Sequence, residues 1–595
     1  MEERKCARVG DDQAEIPDSV LIHVMPYIDD PKDRDAISLV CRRWYQIDTL
    51  TRKHVTIALC YSTSPDRLCR RFRHLESLKL KGKPRASMFN LIPDNWGGHI
   101  GPWAREIVTG FDCLKALHFR RMIVTDGDLQ MLATYMGRAL QVFKLDKCSG
   151  FSSNGLIPIA RLCKNLRTLS LEESTIAEED GAWLHELAIN NTVLESLNFY
   201  MTELQKICVK DLVRIAKNCP QLVSVKISYC EMMELVDFFR AATMLDEFGG
   251  GSFNELEKPE IYSAISFPPK LCRIGLSFLG KLEIYIIFPL AARLKKLDLL
   301  YALLDTEDHC LLIQKCPNLE VLETRNVIGD RGLEVLAQSC NRLKRLRIER
   351  GADEQDMEDE GGLVTQRGLI ALAQGCLELE YLAVYVSDIT NAALECVGSH
   401  LKNLYSFRLV LLDREDTITD LPLDNGVRSL LRGCEKLIRF ALYLRPGGLT
   451  DVGLGYIGKY SPYVRWILLG YVGETDAGLQ AFSRGCPSLQ KLEMRGCCFS
   501  ELALADAVMH LTSLRYLWVQ GYRSSENGGD ILAMFRPFWN IELIPARRVV
   551  SQNDVGDSTF HDDPAHIIAY YSLVGRRTDC PGTVIPLHPP TLLPT

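Results

Sequence analysis

The chain runs to 595 residues and 67.2 kDa, with 69 Lys+Arg against 76 Asp+Glu, a formal charge of -7 and a pI near 6.0. At 47% hydrophobic and 24% charged its composition is that of ordinary globular protein, which excludes collagen-like, mucin-like and wholly disordered chains. No apolar run reaches the roughly 18 to 20 residues that span a bilayer, and the charged start Met1-Glu2-Glu3-Arg4-Lys5-Cys6 has no apolar stretch behind it, so the expectation is a protein neither secreted nor membrane-spanning.

Residues 1-14 read as a flexible N-terminus, and residues 15-55 as a small helical module. The segments Glu15-Ile-Pro-Asp-Ser-Val-Leu-Ile-His-Val-Met and Asp30-Pro-Lys-Asp-Arg-Asp-Ala-Ile-Ser-Leu-Val-Cys-Arg-Arg-Trp44-Tyr45 are short, amphipathic and broken by proline. Helices of that length bury little by themselves, so the module is expected to pack on a partner or on the segment C-terminal to it.

Residues 56-545 repeat. A leucine-like residue at position x, with others at x+3 and x+5, recurs from Leu75 through Leu114, Leu140, Leu166, Leu194 and Leu222 to Leu489 and Leu514, most often 23 to 28 residues apart. That is the leucine-rich-repeat period of one short strand and one helix per turn, so the fold class is α/β, a horseshoe solenoid behind an α-helical N-terminal module. Helices are expected to open at Thr or Asp, as in Thr390-Asn-Ala-Ala-Leu and Asp330-Arg-Gly-Leu. Separations of 39 after Leu75, 49 after Leu222, 36 after Leu343 and 33 after Leu404 read as insertions that leave the solenoid as loops, and long insertions in a regular array suggest binding elements. Residues 546-595 read as a C-terminal cap and tail.

Side chains alternate along a strand, so if x+3 and x+5 enter the core, x+2, x+4 and x+6 face the concavity. These positions hold Lys79, Lys81, His118, Arg120 and Lys144, then Arg345, Arg347, Tyr385, Arg408, Arg439, Tyr443, Trp466, Leu468, Lys491, Arg495, Tyr516 and Trp518. A basic and aromatic face on an acidic protein points to an anionic ligand. A scaffold binding RNA or an acidic protein fits the same face, although aromatics converging near the loops favour a closed pocket.

Of the 21 cysteines, Cys163, Cys219, Cys316, Cys340, Cys376, Cys434 and Cys486 each stand three residues before a repeat leucine, the place of a small buried apolar group in a reduced protein. Cys497-Cys498 has no zinc spacing, and no metal is expected. Gly453-Leu-Gly455-Tyr-Ile-Gly458 imitates a dinucleotide fingerprint but sits where a repeat helix belongs. His561-Asp562-Asp563 has no organised partner in sequence, and no catalytic constellation emerges.

The start Ile16-Pro17-Asp18 and the finish Asp33-Arg34-x-x-Ile37-Ser38-Leu39-Val40-Cys41-Arg42-x-Trp44 resemble an F-box. The run Lys79-Leu-Lys-Gly-Lys-Pro-Arg-Ala-Ser-Met-Phe-Asn-Leu-Ile-Pro-Asp-Asn-Trp-Gly-Gly and Arg408-Leu-Val-Leu-Leu-Asp-Arg-Glu-Asp resemble the coronatine-insensitive jasmonate receptors of plants, a likeness covering essentially the whole chain, with Ser87 a small-for-small departure. The resemblance implies the non-catalytic substrate receptor of an SCF-type ubiquitin ligase in the nucleus, with the cytoplasm as a second location. Its implied partners are the cullin adaptor, jasmonoyl-isoleucine or coronatine, and JAZ transcriptional repressors, with neither nucleic acid nor membrane, and its implied cofactor is an inositol polyphosphate. The alternatives are an interaction scaffold of the kind just described and an auxin-type receptor for another anion.

Carried over residue by residue, the likeness gives Arg85, Arg347 and Arg408 to the hormone carboxylate and amide, Tyr385, Tyr443 and Arg495 to its polar groups, and Ala86, Phe89, Leu91, Val410, Leu468 and Trp518 to its apolar parts. Lys79, Lys81, Met88, His118, Arg120, Arg121, Lys144, Arg345 and Lys491 fall to the polyphosphate, with Trp466 on the phosphate or degron surface. Ile16, Pro17, Leu21, Val24, Ile37 and Leu39 fall to the adaptor.

Overall fold

The computed structural model describes residues 16-588 apart from 29, 178-180, 203, 205-206, 254-258, 351-362, 413-419, 522-531, 534-535, 537 and 553-557. The N-terminal residues 1-14, the insertions at 351-362 and 413-419 and the side chains of His561-Asp562-Asp563 lie outside the described residues.

Helices Asp18–Val24, Pro31–Ser38 and Arg42–Thr51 form the N-terminal module. Leu21, Met25 and Ile47 make its buried core, with Ile37 and Trp44 packed against them. So small a core leaves much apolar surface outside: Ile16, Val24 and Leu39 are 53%, 52% and 84% exposed. Leu21, assigned to the adaptor from the sequence, is instead turned inward, because the short helices have few other residues with which to fill their own centre. Asp48 is fully buried and is neutralised by Arg34 and Arg52, each at 3.0 Å, with Arg71 of the next helix at 3.7 Å. Arg71 also lies 4.2 Å over the Tyr45 ring, which ties the module to the solenoid.

The solenoid follows the expected alternation. Among the described residues it forms one 21-stranded sheet, parallel from His54–Ile57 to Tyr516–Gln520 in chain order. In the strand Ser77–Lys81, Leu78 and Leu80 are buried while Lys79 and Lys81 face the concavity. Helices cover the convex side, and one continuous apolar core runs between the layers.

Two expectations need correction. The 49-residue separation after Leu222 is not an insertion; it contains a further repeat, whose strand Glu247–Gly249 pairs on both sides. Leu245 is its buried anchor, but Phe248 and Gly250 take the leucine places. Gly250 is required there: its φ is 94°, and a Cβ would lie 2.2 Å from the Ile227 carbonyl oxygen. The second correction concerns Asp330. Thr390 caps its helix as expected, accepting from the Ala393 N–H. Asp330 lies inside Gly329–Ser339 and reaches the next repeat, accepting from Thr365 N and Oγ1 at 2.7 and 2.6 Å and Gly368 N at 3.0 Å. Asp126 with Ser152, Asp424 with Thr450 and Asp476 with Ser500 repeat the arrangement. A carboxylate on one helix thus holds the start of the next.

The cysteines do a related job at the opposite helix ends. Cys340, Cys376, Cys434 and Cys219 are buried, and their thiols donate to main-chain carbonyls of the preceding repeat, as in Cys340 Sγ to Cys316 O at 3.2 Å. Burial pushes Cys316, Cys340, Cys376 and Cys434 up to about 12, which makes them inert thiols. Gly453 and Gly458 sit in the helix Asp451–Tyr460, and Gly458 packs where a Cβ would meet the Phe482 carbonyl oxygen at 2.6 Å. They are helix-packing glycines.

At the far end the sheet turns antiparallel, with His566–Tyr571 inserted between Tyr516–Gln520 and Trp539–Ile544. Beyond it the chain meets the first repeat: Leu573 N donates to Ser62 O at 2.9 Å and Ser572 Oγ to Tyr61 O at 2.7 Å. The two ends of the solenoid therefore touch, and the horseshoe is closed. Removing one stitch tests the frame. Asp330→Ala strands two N–H groups and a hydroxyl, at an expected cost of about 2 to 3 kcal/mol, read as a lower urea midpoint with faster amide exchange at residues 363-376; an unchanged midpoint and exchange contradict the assignment.

Candidate functional site

Strand pairing sets the late concave residues in three rows. Arg345, Tyr381, Arg439, Trp466, Lys491 and Tyr516 share the first; Arg347, Arg408, Leu468, Glu493 and Trp518 the second; Tyr385, Val410, Tyr443 and Arg495 the third. Successive rows are two residues apart along the strand, roughly 6.5 Å. On the early strands Lys79, His118 and Lys144 share one row, and Lys81 and Arg120 the next. The chain leaves Ser77–Lys81 into a short 3₁₀ turn, Arg85–Phe89, stopped by Asn90 in the left-handed region at φ 54°. That turn carries Arg85 across the ring until its guanidinium stands 5.9 Å over the Trp466 ring.

The closed ring surrounds a cavity of about 1610 Å³. Lys81, Arg85, Met88, Arg120, Arg121, Arg345, Arg347, Arg408 and Lys491 line it together, so residues assigned separately to hormone and polyphosphate share one space. Tyr385, Val410, Tyr443, Leu468 and Arg495 are half-buried on the rows alongside, with Arg495 5.5 Å over the Tyr443 ring. Phe89 is 54% exposed. Ala86, Leu91 and Trp518 are buried together with Trp96, Ile544, Ile568 and Tyr570, so they form a packed wall. The Trp518 indole N–H is buried there without a hydrogen-bond partner among the described residues. Lys79, His118 and Lys144 do not line the cavity, and His118 pairs with Asp146 at 2.5 Å.

Carboxylates temper the arginines, which the sequence reading missed. Glu349 accepts from Arg347 at 2.7 Å and lies 3.4 Å from Arg408, while Glu323 lies 3.7 Å from Arg347 and 3.4 Å from Arg345. Arg408 also donates to the Tyr385 hydroxyl at 2.7 Å. Glu493 takes Lys491 at 2.8 Å and the Trp466 indole N–H at 3.1 Å. All three acids occupy x+4 or x+6 positions, so the register exposes them; a reading for cations and aromatics alone passes over them. Arg465 and Arg515 also line the cavity from x+1, outside the parity considered.

The early side is less balanced. Burial, then Lys79 and Arg121, hold Lys81 down at about 8; burial and Arg120 hold Arg121 down at about 10. Burial and Arg408 also lower Arg85. The Arg120 Nε and, from the late rows, the Tyr516 hydroxyl, both on residues lining the cavity, are buried without hydrogen-bond partners among the described residues. Cations that depress one another beside unsatisfied polar atoms fit a multiply charged anion, which would relieve the repulsion and accept the free donors.

Residues 13–54 match the F-box family and residues 73–119 the Transport inhibitor response 1 protein domain. The chain is 67% identical to Coronatine-insensitive protein 1 of Arabidopsis thaliana over 96% of its own length and 97% of the relative's. It is 57% identical to Coronatine-insensitive protein homolog 1a of Oryza sativa subsp. indica, covering 96% of each chain, and 33% identical to GRR1-like protein 1 of Arabidopsis thaliana, covering 96% and 97%. An F-box docked on a closed leucine-rich-repeat ring defines a substrate receptor of SCF ubiquitin ligases, a non-catalytic subunit that engages the cullin adaptor. Within that class the chain belongs to the coronatine-insensitive protein family.

Lys81 supplies a pH test. Its depressed value near 8 must rise when an anion binds, so binding at pH 8 to 9 takes up protons and weakens as pH rises through 8. Calorimetric titration of inositol hexakisphosphate in buffers of different ionisation enthalpy should show, at pH 8.5, more protons taken up per ligand bound than in Lys81→Met; the same proton count in the two proteins would contradict the site.

Proposed function

We propose that this protein is a jasmonate receptor, binding jasmonoyl-isoleucine, or its mimic coronatine, together with JAZ repressors, and presenting them for ubiquitination in the nucleus. The observation that supports it best is the shared cavity, in which Arg85, Arg347 and Arg408 stand with Lys81, Arg120, Arg121 and Lys491. Arg408 and Arg347 hold the hormone carboxylate and amide, with Arg85 closing from the loop and Glu349 giving up part of its hold on the first two. Guanidinium groups suit this task because they grip a carboxylate through two parallel N–H groups. Tyr385, Tyr443 and Arg495 address the polar edge of the ligand, and Phe89, Val410 and Leu468 its apolar parts, against the wall built from Ala86, Leu91 and Trp518.

An inositol polyphosphate occupies the floor, held by Lys81, Met88, Arg120, Arg121, Arg345 and Lys491, with Lys79, His118 and Lys144 on the strands beside them. It lowers the cost of gathering the arginines before the hormone arrives. The hormone then becomes part of the surface that the repressor buries. No bond is made or broken in the pocket. The exposed Ile16, Pro17, Val24 and Leu39, supported from behind by Leu21 and Ile37, receive the adaptor, and the ligase acts on the repressor through proximity.

The test is hormone-dependent retention of a JAZ peptide by the purified adaptor complex. Arg408→Ala removes a half-buried anion partner, so labelled hormone affinity should fall at least ~30-fold, about 2 kcal/mol, with adaptor binding intact. Affinity within about threefold of the unaltered complex would exclude Arg408 from the ligand.

A further inference from the structure

The motif Trp96-Gly97-Gly98 closes the loop that carries Arg85, and nothing in the ligand account uses it. In the structure it is gripped from the other end of the chain. Arg577, 2% exposed at its side chain, pairs with the fully enclosed Glu542 at 3.2 Å and donates to the Trp96 carbonyl oxygen. Its guanidinium is stacked 4.0 Å over the Tyr61 ring and 4.5 Å over the Trp96 ring. The Trp96 indole N–H donates to the same Glu542 at 2.6 Å. Asp579 completes the grip, accepting from Arg577 Nε and from the Tyr61 hydroxyl, each at 2.7 Å, while that hydroxyl accepts from Gly98 N at 2.9 Å.

Every group in this cluster has a partner, which is the condition under which a buried ion pair fixes geometry instead of merely costing solvation. Gly97 shows how close the fit is. Its φ is 119°, and a Cβ on it would stand 2.2 Å from Arg577 Nη2 and 2.4 Å from the Tyr61 hydroxyl. The loop can reach the guanidinium only because position 97 has no side chain. From Trp96 the wall continues through Ile92 and Leu91 to Ala86, one residue from Arg85.

We propose that Arg577 is a positioning residue for the ligand cavity: by clamping Trp96 to Glu542 it closes the ring and sets the loop from which Arg85 reaches across to Trp466. The segment from Ser572 to Asp579 is therefore part of the binding apparatus. This rests on the jasmonate-receptor reading for its consequence, though not for the clamp itself.

The experiment compares the full-length adaptor complex with its Arg577→Gln and Asp579→Asn variants, by hydrogen exchange of residues 85-98 and by retention of labelled jasmonoyl-isoleucine with a JAZ peptide. Arg577→Gln should exchange at least tenfold faster at 85-98, leave the distant strand Arg345–Glu349 unchanged, and bind hormone at least tenfold more weakly, with Arg577→Lys recovering part of both. Asp579, 53% exposed at its side chain, gives a mild variant for the case in which Arg577→Gln does not fold, with an expected threefold effect on both readouts. Unchanged exchange at 85-98 in whichever variants fold overturns the clamp, and faster exchange with hormone affinity unchanged overturns its positioning role. If the unaltered complex retains no hormone, the ligand reading fails, while the exchange data still decide the clamp.

Discussion

Like charges confined in one enclosure are the constraint around which this protein is built. Parallel strands stand roughly 4.8 Å apart, so cations on neighbouring strands cannot avoid one another. At a separation of ~6 Å and an effective dielectric near 20, each such pair costs about 2 to 3 kcal/mol. The protein answers unevenly; on the early strands Asp146 pairs with His118. Glu323, Glu349 and Glu493 sit among the arginines and lysine of the late repeats, while Lys81, Arg120 and Arg121 across the ring keep depressed or unsatisfied groups. The proposed anion site draws on this imbalance, since full internal pairing would leave nothing to offer a ligand.

Holding charges in that arrangement requires a stiff frame. Leucines alone set the layer spacing, but they do not set the angle between repeats. The aspartate stitches at one end of the helices and the thiol contacts at the other supply directional bonds from repeat to repeat, and the Arg577 cluster joins the last element to the first. A closed ring transmits a misplaced repeat to every other, whereas an open solenoid would relax at its ends. Asp48, shared among Arg34, Arg52 and Arg71, extends the rigid connection to the F-box, so F-box and cavity keep a fixed relation.

Much of this is legible from the residues. Period and parity identify the strands and the concave face, because leucine spacing and side-chain alternation are local rules. What escapes depends on contacts far apart in sequence or on substitutions at a repeat position. Leu245 escapes because Phe248 and Gly250 replace the leucines. Asp330 looks like a cap because its true partners lie 35 and 38 residues on. The burial of Leu21 and Trp518 escapes because a small three-helix core and an antiparallel strand, not a local pattern, produce it. Ring closure is invisible, since Tyr61 and Asp579 stand 518 residues apart and no short-range pattern relates them.

The central claim is that the early cations of the ring are neutralised by a bound polyanion. Native mass spectrometry of the adaptor complex, purified at low salt and again after high-salt exchange, tests it directly, because ionic contacts are screened as salt rises. The expected result is an added mass matching an inositol polyphosphate that high salt removes, that returns on titration, and that is absent from a Lys81→Met, Arg121→Met double variant. A complex that carries no such mass at low salt, and takes up none when inositol hexakisphosphate is supplied, would contradict the account.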